Sequence, residues 1–117
     1  MRSTAVICTL LFCSFASPFS SAQDGAFAEG VRVYDKWCAP CHDPGIEHPG
    51  TLALGAKYEG VKSGEILEWT DLRPDITTSF VRTGISVMPF FRKTEISDAE
   101  LEALAAYLAR NTLETVD

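Results

Sequence analysis

Few residues in this 117-residue chain carry chemistry, and each scarcity removes a class of function. Histidine and methionine occur twice each and cysteine four times, with Cys8 and Cys13 in an N-terminal stretch that has the pattern of a removable leader. That stretch has a short positive start at Met1-Arg2, an apolar run from Ala5 to Phe15, and the small residues Ser20-Ser21-Ala22 ahead of Gln23. This predicts a secretory signal peptide over residues 1–22 and one domain over 23–117. An uncleaved anchor is the other reading of the run, although the run is too short for a bilayer-spanning helix, and no stable membrane anchor is expected after cleavage. Cys38 and Cys41 are then the remaining cysteine pair, so no structural disulfide is expected, export notwithstanding. Basic residues are scarce as well: without Arg2, nine stand against sixteen acidic ones, a formal charge of −7 that disfavours nucleic acid. The acidity suits solubility first, and secondly steering toward a partner with a basic docking face. Repeats, low-complexity tracts and alternating strand patterns are missing, which predicts a nearly all-α domain. No nucleophile or paired acid and base stands out, so no catalytic residue is expected.

Cys38-Ala39-Pro40-Cys41-His42 is the densest chemistry present. Two thiols at this spacing can each reach one vinyl group of a porphyrin, while the following histidine rises beneath the iron. The motif therefore predicts covalent attachment of one c-type haem. Redox dithiols and zinc half-sites share the Cys-x-x-Cys spacing, but the added His42 and the lack of any other cysteine after the leader argue against both. A haem would also supply the apolar surface that so short a chain lacks.

Around that motif the periodicity is helical. From Ala26 to Trp37 the residues Phe27, Val31, Tyr34 and Cys38 fall on one stripe, and Gly30 within it predicts the close approach of another backbone. Ser97 and Glu100 form a capping box ahead of Leu101, Leu104, Ala105 and Leu108, a helix ending near Arg110 and Asn111. Pro44-Gly45 and Pro49-Gly50 predict a looped segment after the haem motif, with Leu52 and Leu54 turned inward. Short helices are expected over Ser63–Glu68 and Asp75–Thr83, the second capped by Asp75 or Thr77 and stopped by Gly84.

The second axial position of the iron falls to Met88, the sole methionine outside the leader, in the loop Ser86-Val87-Met88-Pro89. A lone methionine is ordinarily core filling. A thioether beside a proline in a loop is instead suited to the iron, and His/Met ligation raises the potential of an electron acceptor. His48 is the competing ligand, but six residues from His42 it would struggle to reach the opposite face, and it is read as a surface histidine.

The order of a CxxCH motif after an N-terminal helix, a proline loop, a Met-Pro loop and an amphipathic last helix resembles the small class I c-type cytochromes. The match covers nearly the whole chain after the leader. The resemblance implies that Gly30 and Tyr34 cross the last helix near Leu104 and Tyr107. It also implies that the Pro49 carbonyl accepts the His42 Nδ1 proton, although His48 stands where the family commonly has glycine. Val87-Met88-Pro89-Phe90-Phe91-Arg92-Lys93 and the helix after it are similar to the cytochrome subunit of flavocytochromes of the 4-cresol methylhydroxylase and eugenol hydroxylase type. That likeness implies a periplasmic cytochrome taking single electrons from a flavoprotein dehydrogenase that oxidises a para-alkylphenol, and passing them to a soluble periplasmic acceptor.

Several residues carry two readings. Tyr58 and Trp69 are candidate donors to a haem propionate or ordinary core aromatics. Arg73 and Arg82 are candidate propionate partners or solvated arginines. One of Phe90 and Phe91 is expected outward as a docking surface and one inward, with Arg92 and Lys93 as a basic rim. Three functions remain: a flavocytochrome subunit, a free periplasmic carrier, or a small enzyme acting as a thiol oxidoreductase or a peroxidase.

Overall fold

Ser97 opens the best-capped helix of the chain. Its hydroxyl accepts the Glu100 backbone N–H at 3.2 Å and the Glu100 carboxylate accepts the Ser97 N–H at 2.8 Å. The computed structural model describes residues 19–114, and the leader expected over 1–22 lies almost entirely outside them. Helix α5, Asp98–Leu108, buries Leu101, Leu104, Ala105 and Leu108 on one face, the stripe that the sequence predicts. That face crosses helix α1, Phe19–Trp37, which starts several residues ahead of the expected Ala26.

The crossing is close because of Gly30. A Cβ there would lie 2.5 Å from the Ala103 carbonyl oxygen and 2.6 Å from the Tyr107 Cβ, so only glycine lets the backbones meet. The expected α1 stripe is displaced: Val33 and Tyr34 are the fully buried residues, while Phe27 is 51% exposed and rests edge-on against Tyr107. Arg32 ties the crossing from outside. Its guanidinium donates to Glu29 and, at 2.6 Å, to the same Glu100 carboxylate that caps α5.

Helix α1 runs into α2, Ala39–His42, a single turn carrying the haem motif. The segment after it differs from expectation. Pro49-Gly50 does not make a turn but starts helix α3, Pro49–Lys57. Proline fits a first helical position because its fixed φ suits the helix and its missing N–H would have no partner there. Thr51, buried, donates to the Asp43 carbonyl at 2.9 Å and holds the start of α3 beside α2. The helix expected over Ser63–Glu68 shrinks to a 3₁₀ turn, Ile66–Glu68.

Helix α4, Pro74–Thr83, ends at Gly84, whose φ of +70° lies in the left-handed region. Neither Asp75 nor Thr77 caps it. Arg73 occupies the cap position with extended backbone, Pro74 begins the helix, the Asp75 carboxylate instead accepts from the Arg73 guanidinium, and Thr77 is buried. Beyond α5 a short helix α6, Arg110–Glu114, follows. Arg110 and Asn111 both donate to the Leu67 carbonyl, fastening the start of α6 to the 3₁₀ turn.

Among the described residues there is no strand, only an isolated bridge between Ile85 and Met88, and the domain is all-α with its first and last long helices crossed. No helix among them is long and apolar enough to cross a membrane. The core comprises Val33, Tyr34, Leu72, Val81, Ile96, Leu101, Leu104 and Leu108, with Trp37, Cys38, Trp69, Met88 and Phe91 packed against it.

Candidate functional site

The turn α2 places Cys38, Cys41 and His42 within five residues, and the core fixes it from below. The Tyr34 hydroxyl donates to the His42 carbonyl at 3.0 Å. Burial, and next the nearby Asp43 carboxylate, push that phenol well above its usual range, so it stays a protonated donor. Cys38 is half-buried and Cys41 exposed, and neither is in a disulfide. Burial pushes the Cys38 thiol up to about 12, with a smaller effect from Cys41.

Burial also lowers the His42 pKa below its ordinary 6.5, which favours the neutral imidazole with a lone pair free to bind a metal. Its Nδ1 is buried with no hydrogen-bond partner, so the bond to the Pro49 carbonyl that the family resemblance implies is not formed. Pro49 acts on the histidine by another route. By starting α3 it brings Gly50 against the ring, where a Cβ would lie 2.8 Å from His42 Cε1 and 2.6 Å from the Cys41 carbonyl oxygen. Gly50 passes unnoticed in the sequence because Pro-Gly reads first as a turn. His48 is more enclosed than a surface residue, with its Nδ1 3.2 Å from the Pro40 carbonyl; its side chain is 21% exposed.

Met88 is half-buried and packs against the same core as Cys38 and Trp69. A tight turn presents it: Ile85 N–H donates to the Met88 carbonyl at 3.1 Å and Met88 N–H to the Ile85 carbonyl at 2.9 Å. Ser86 within the turn has a φ of +54°, a conformation that costs a non-glycine residue about 1–3 kcal/mol. Three residues on, Phe91 packs edge-on against Trp37 with ring centroids 5.7 Å apart, while Phe90 is 60% exposed. The outward and inward division of the two phenylalanines is as the sequence predicts.

The other sequence candidates are drawn into protein contacts. The Trp69 indole N–H donates to the Ser63 carbonyl at 2.8 Å, and Tyr58 packs edge-on against Trp69 at 5.5 Å. Arg73 is paired with Asp75, and Arg82 donates to the Phe91 and Ile96 carbonyls and to Asp98. The expected basic rim is largely neutralised within the chain, Arg92 against Glu95 at 3.4 Å and Lys93 against Asp98 at 2.7 Å.

The residues present fit a covalently held porphyrin. Two unpaired thiols sit at the attachment spacing beside a neutral histidine whose Nδ1 has no partner. The neighbouring segments carry Ile46, Leu52, Ile85, Val87 and Phe90 as exposed apolar side chains, surface that a large apolar group would cover. Of the two leucines expected to turn inward, Leu54 is partly covered by protein and Leu52 is 57% exposed. Among the described residues no cluster of three or more histidine, cysteine or acidic side chains offers a conventional metal site.

Comparison with known proteins agrees with this chemistry. Residues 25–108 match the family described as cytochrome C oxidase, cbb3-type, subunit III. The chain is 30% identical over 86 residues to the 4-cresol dehydrogenase [hydroxylating] cytochrome c subunit of Pseudomonas putida. That alignment covers 74% of the chain and 63% of the relative, so the chain spans somewhat under two thirds of that protein's length. No solved structure matches it.

Proposed function

The chain belongs to the c-type cytochromes, electron-transfer proteins with covalently bound haem c, and from that premise we propose that it is the periplasmic cytochrome subunit of a flavoprotein dehydrogenase. It accepts single electrons from the reduced flavin of a partner that oxidises para-alkylphenols and releases them to a soluble periplasmic acceptor. The observation that carries this reading is the likeness to the 4-cresol dehydrogenase cytochrome c subunit over most of the chain. The leader-like pattern of residues 1–22 supports export.

Bound haem supplies one-electron chemistry at its iron. The chain does the rest. Cys38 and Cys41 would hold the haem as thioethers, and His42 and Met88 would bind its iron. Tyr34 holds the His42 backbone, Gly50 sets the room for its ring, and the turn at Ile85–Met88 presents the thioether. With His42 and Met88 both given to the iron of a bound haem, oxygen and peroxide would have no open site, and electron transfer would be favoured over peroxidase chemistry. Tyr58, whose hydroxyl has no hydrogen bond comparable to that of Trp69, is the better propionate donor of the two. Pro49 contributes by beginning α3 beside the histidine.

Co-expression with a flavoprotein dehydrogenase from the same operon tests the reading. Co-elution with rapid flavin-to-haem electron transfer is the expected result. Failure to bind that flavoprotein would leave a free carrier, and a denatured protein without haem stain would leave the thiol enzyme.

A further inference from the structure

Arg82 is the penultimate residue of α4, and its side chain is 20% exposed although it carries a charge. One of its nitrogens, Nη1, donates to two backbone carbonyls, those of Phe91 at 3.1 Å and Ile96 at 2.9 Å. The other, Nη2, donates to the Asp98 carboxylate at 2.9 Å, in the first turn of α5. One guanidinium thus grips the segment that follows Met88 near its beginning and near its end, and anchors it to both flanking helices.

The segment has other holds, with Phe91 edge-on against Trp37, Lys93 paired with Asp98 and the Ile96 N–H donating to the Arg92 carbonyl, but Arg82 joins Phe91 and Ile96 through a single side chain of α4. The Phe91 N–H donates to the Val81 carbonyl at 2.7 Å, so Phe91 is gripped through its N–H by one residue of α4 and through its carbonyl by the next. Ile96 is fully buried, and without Arg82 its carbonyl would lose a charged donor. Upstream, the turn bearing Met88 contains the left-handed Ser86, a conformation that persists only where surrounding contacts hold it.

We propose that Arg82 is a positioning residue for Met88: by clamping the Phe91 and Ile96 carbonyls to α4 and α5 it keeps the thioether loop closed on the iron. This rests on the reading of Met88 as axial ligand. Losing the clamp leaves the helices and the haem anchors in place and releases the loop, so an outside ligand competes more easily for the iron. A lysine has no planar fork and serves fewer of the three acceptors at once, so it restores only part of the effect.

The test uses the ferric holoprotein, with imidazole as the competing ligand and the methionine-to-iron absorption band as the readout. In Arg82→Ala imidazole should displace the thioether at about tenfold lower concentration, the factor that corresponds to about 1.4 kcal/mol of lost hydrogen bonding. Arg82→Lys should fall between Ala and wild type. In urea the band should disappear before helical circular dichroism does, and this gap should widen from wild type to Lys to Ala. Arg82→Lys carries the same comparison if Arg82→Ala does not accumulate. Wild-type imidazole affinity in the variants, or band and helix lost together at every urea concentration, would overturn the proposal while Met88→Ala lacks the band. A band that survives in Met88→Ala would overturn the ligand reading and this proposal with it.

Discussion

Replacing Gly30 by alanine sets two effects of known sign against each other. In a helix interior alanine is favoured over glycine by about 1 kcal/mol. At Gly30 the added Cβ meets the Ala103 carbonyl oxygen at 2.5 Å and the Tyr107 Cβ at 2.6 Å. Ordinary contacts of these kinds lie near 3.3–4.0 Å, so α1 and α5 would have to separate by about 1 Å. Overpacking of this type costs about 1–3 kcal/mol and occasionally more. A rigid backbone carbonyl on one side places the cost at the upper end, so a net loss of about 2 kcal/mol is expected. For a urea slope of about 2 kcal/mol per molar, the unfolding midpoint of the holoprotein drops by about 1 M with the slope unchanged. Gly25, in the same helix, provides the control, because a Cβ there meets nothing within 4 Å. Gly25→Ala should therefore leave the midpoint close to wild type, because after removal of residues 1–22 Gly25 lies at the end of the chain, where helix propensity counts little. If Gly30→Ala were as stable as Gly25→Ala, the close crossing of the two helices would not be what holds this domain together.

Glu100 has its pKa lowered from 4.5 to about 2 by the Ser97 N–H, the Ser97 hydroxyl and Arg32. A depressed folded-state value contributes stability above the unfolded value that is lost as pH falls through the folded one. The melting-temperature gap between wild type and Glu100→Gln should hold steady above pH 4.5 and close as pH approaches 2; a gap independent of pH would contradict the ion pairing. Gly50→Ala should press on the His42 ring, altering the low-spin ferric spectrum while helical circular dichroism stays near wild type, and an unchanged spectrum would mean that α3 does not position the histidine. Phe90→Ala should weaken flavoprotein docking about tenfold at both low and high salt. Charge reversal at Arg92 and Lys93 should cost less, chiefly at low salt, since each is already paired within the chain. A larger loss from the charges than from Phe90 would reverse that order.

The elements that the sequence discloses are those whose signals are local. The capping box of Ser97 and Glu100, the α5 stripe and the Gly84 stop are each written in a few adjacent residues, and all three form as expected. Gly30 is likewise legible, because a glycine in a helix demands a reason. Pro49-Gly50 is misleading because the same dipeptide suits a turn and a helix start, and which one wins depends on Thr51 reaching the Asp43 carbonyl. Arg82 is opaque for a different reason. Its acceptors are two backbone carbonyls and Asp98, 9, 14 and 16 residues away, and a carbonyl has no signature in sequence. The cap of α4 fails similarly: Asp75 is a good capping residue drawn off by its neighbour Arg73.

The crossing of α1 and α5 has a topological consequence. The two helices meet at Gly30 and Ala103, with the entire haem-bearing stretch between them. That stretch is in effect one long loop closed at its base. Closure entropy grows only with the logarithm of length, about 0.6 kcal/mol for each doubling. Insertions in the exposed connections of that stretch, such as Glu59–Val61, are therefore cheap compared with one methyl group at Gly30, whereas Leu72 and Val81 within it belong to the core. The crossing can stay constant while those exposed connections are rewritten, so the outer surface of the haem-bearing stretch can vary without disturbing the contact that closes it.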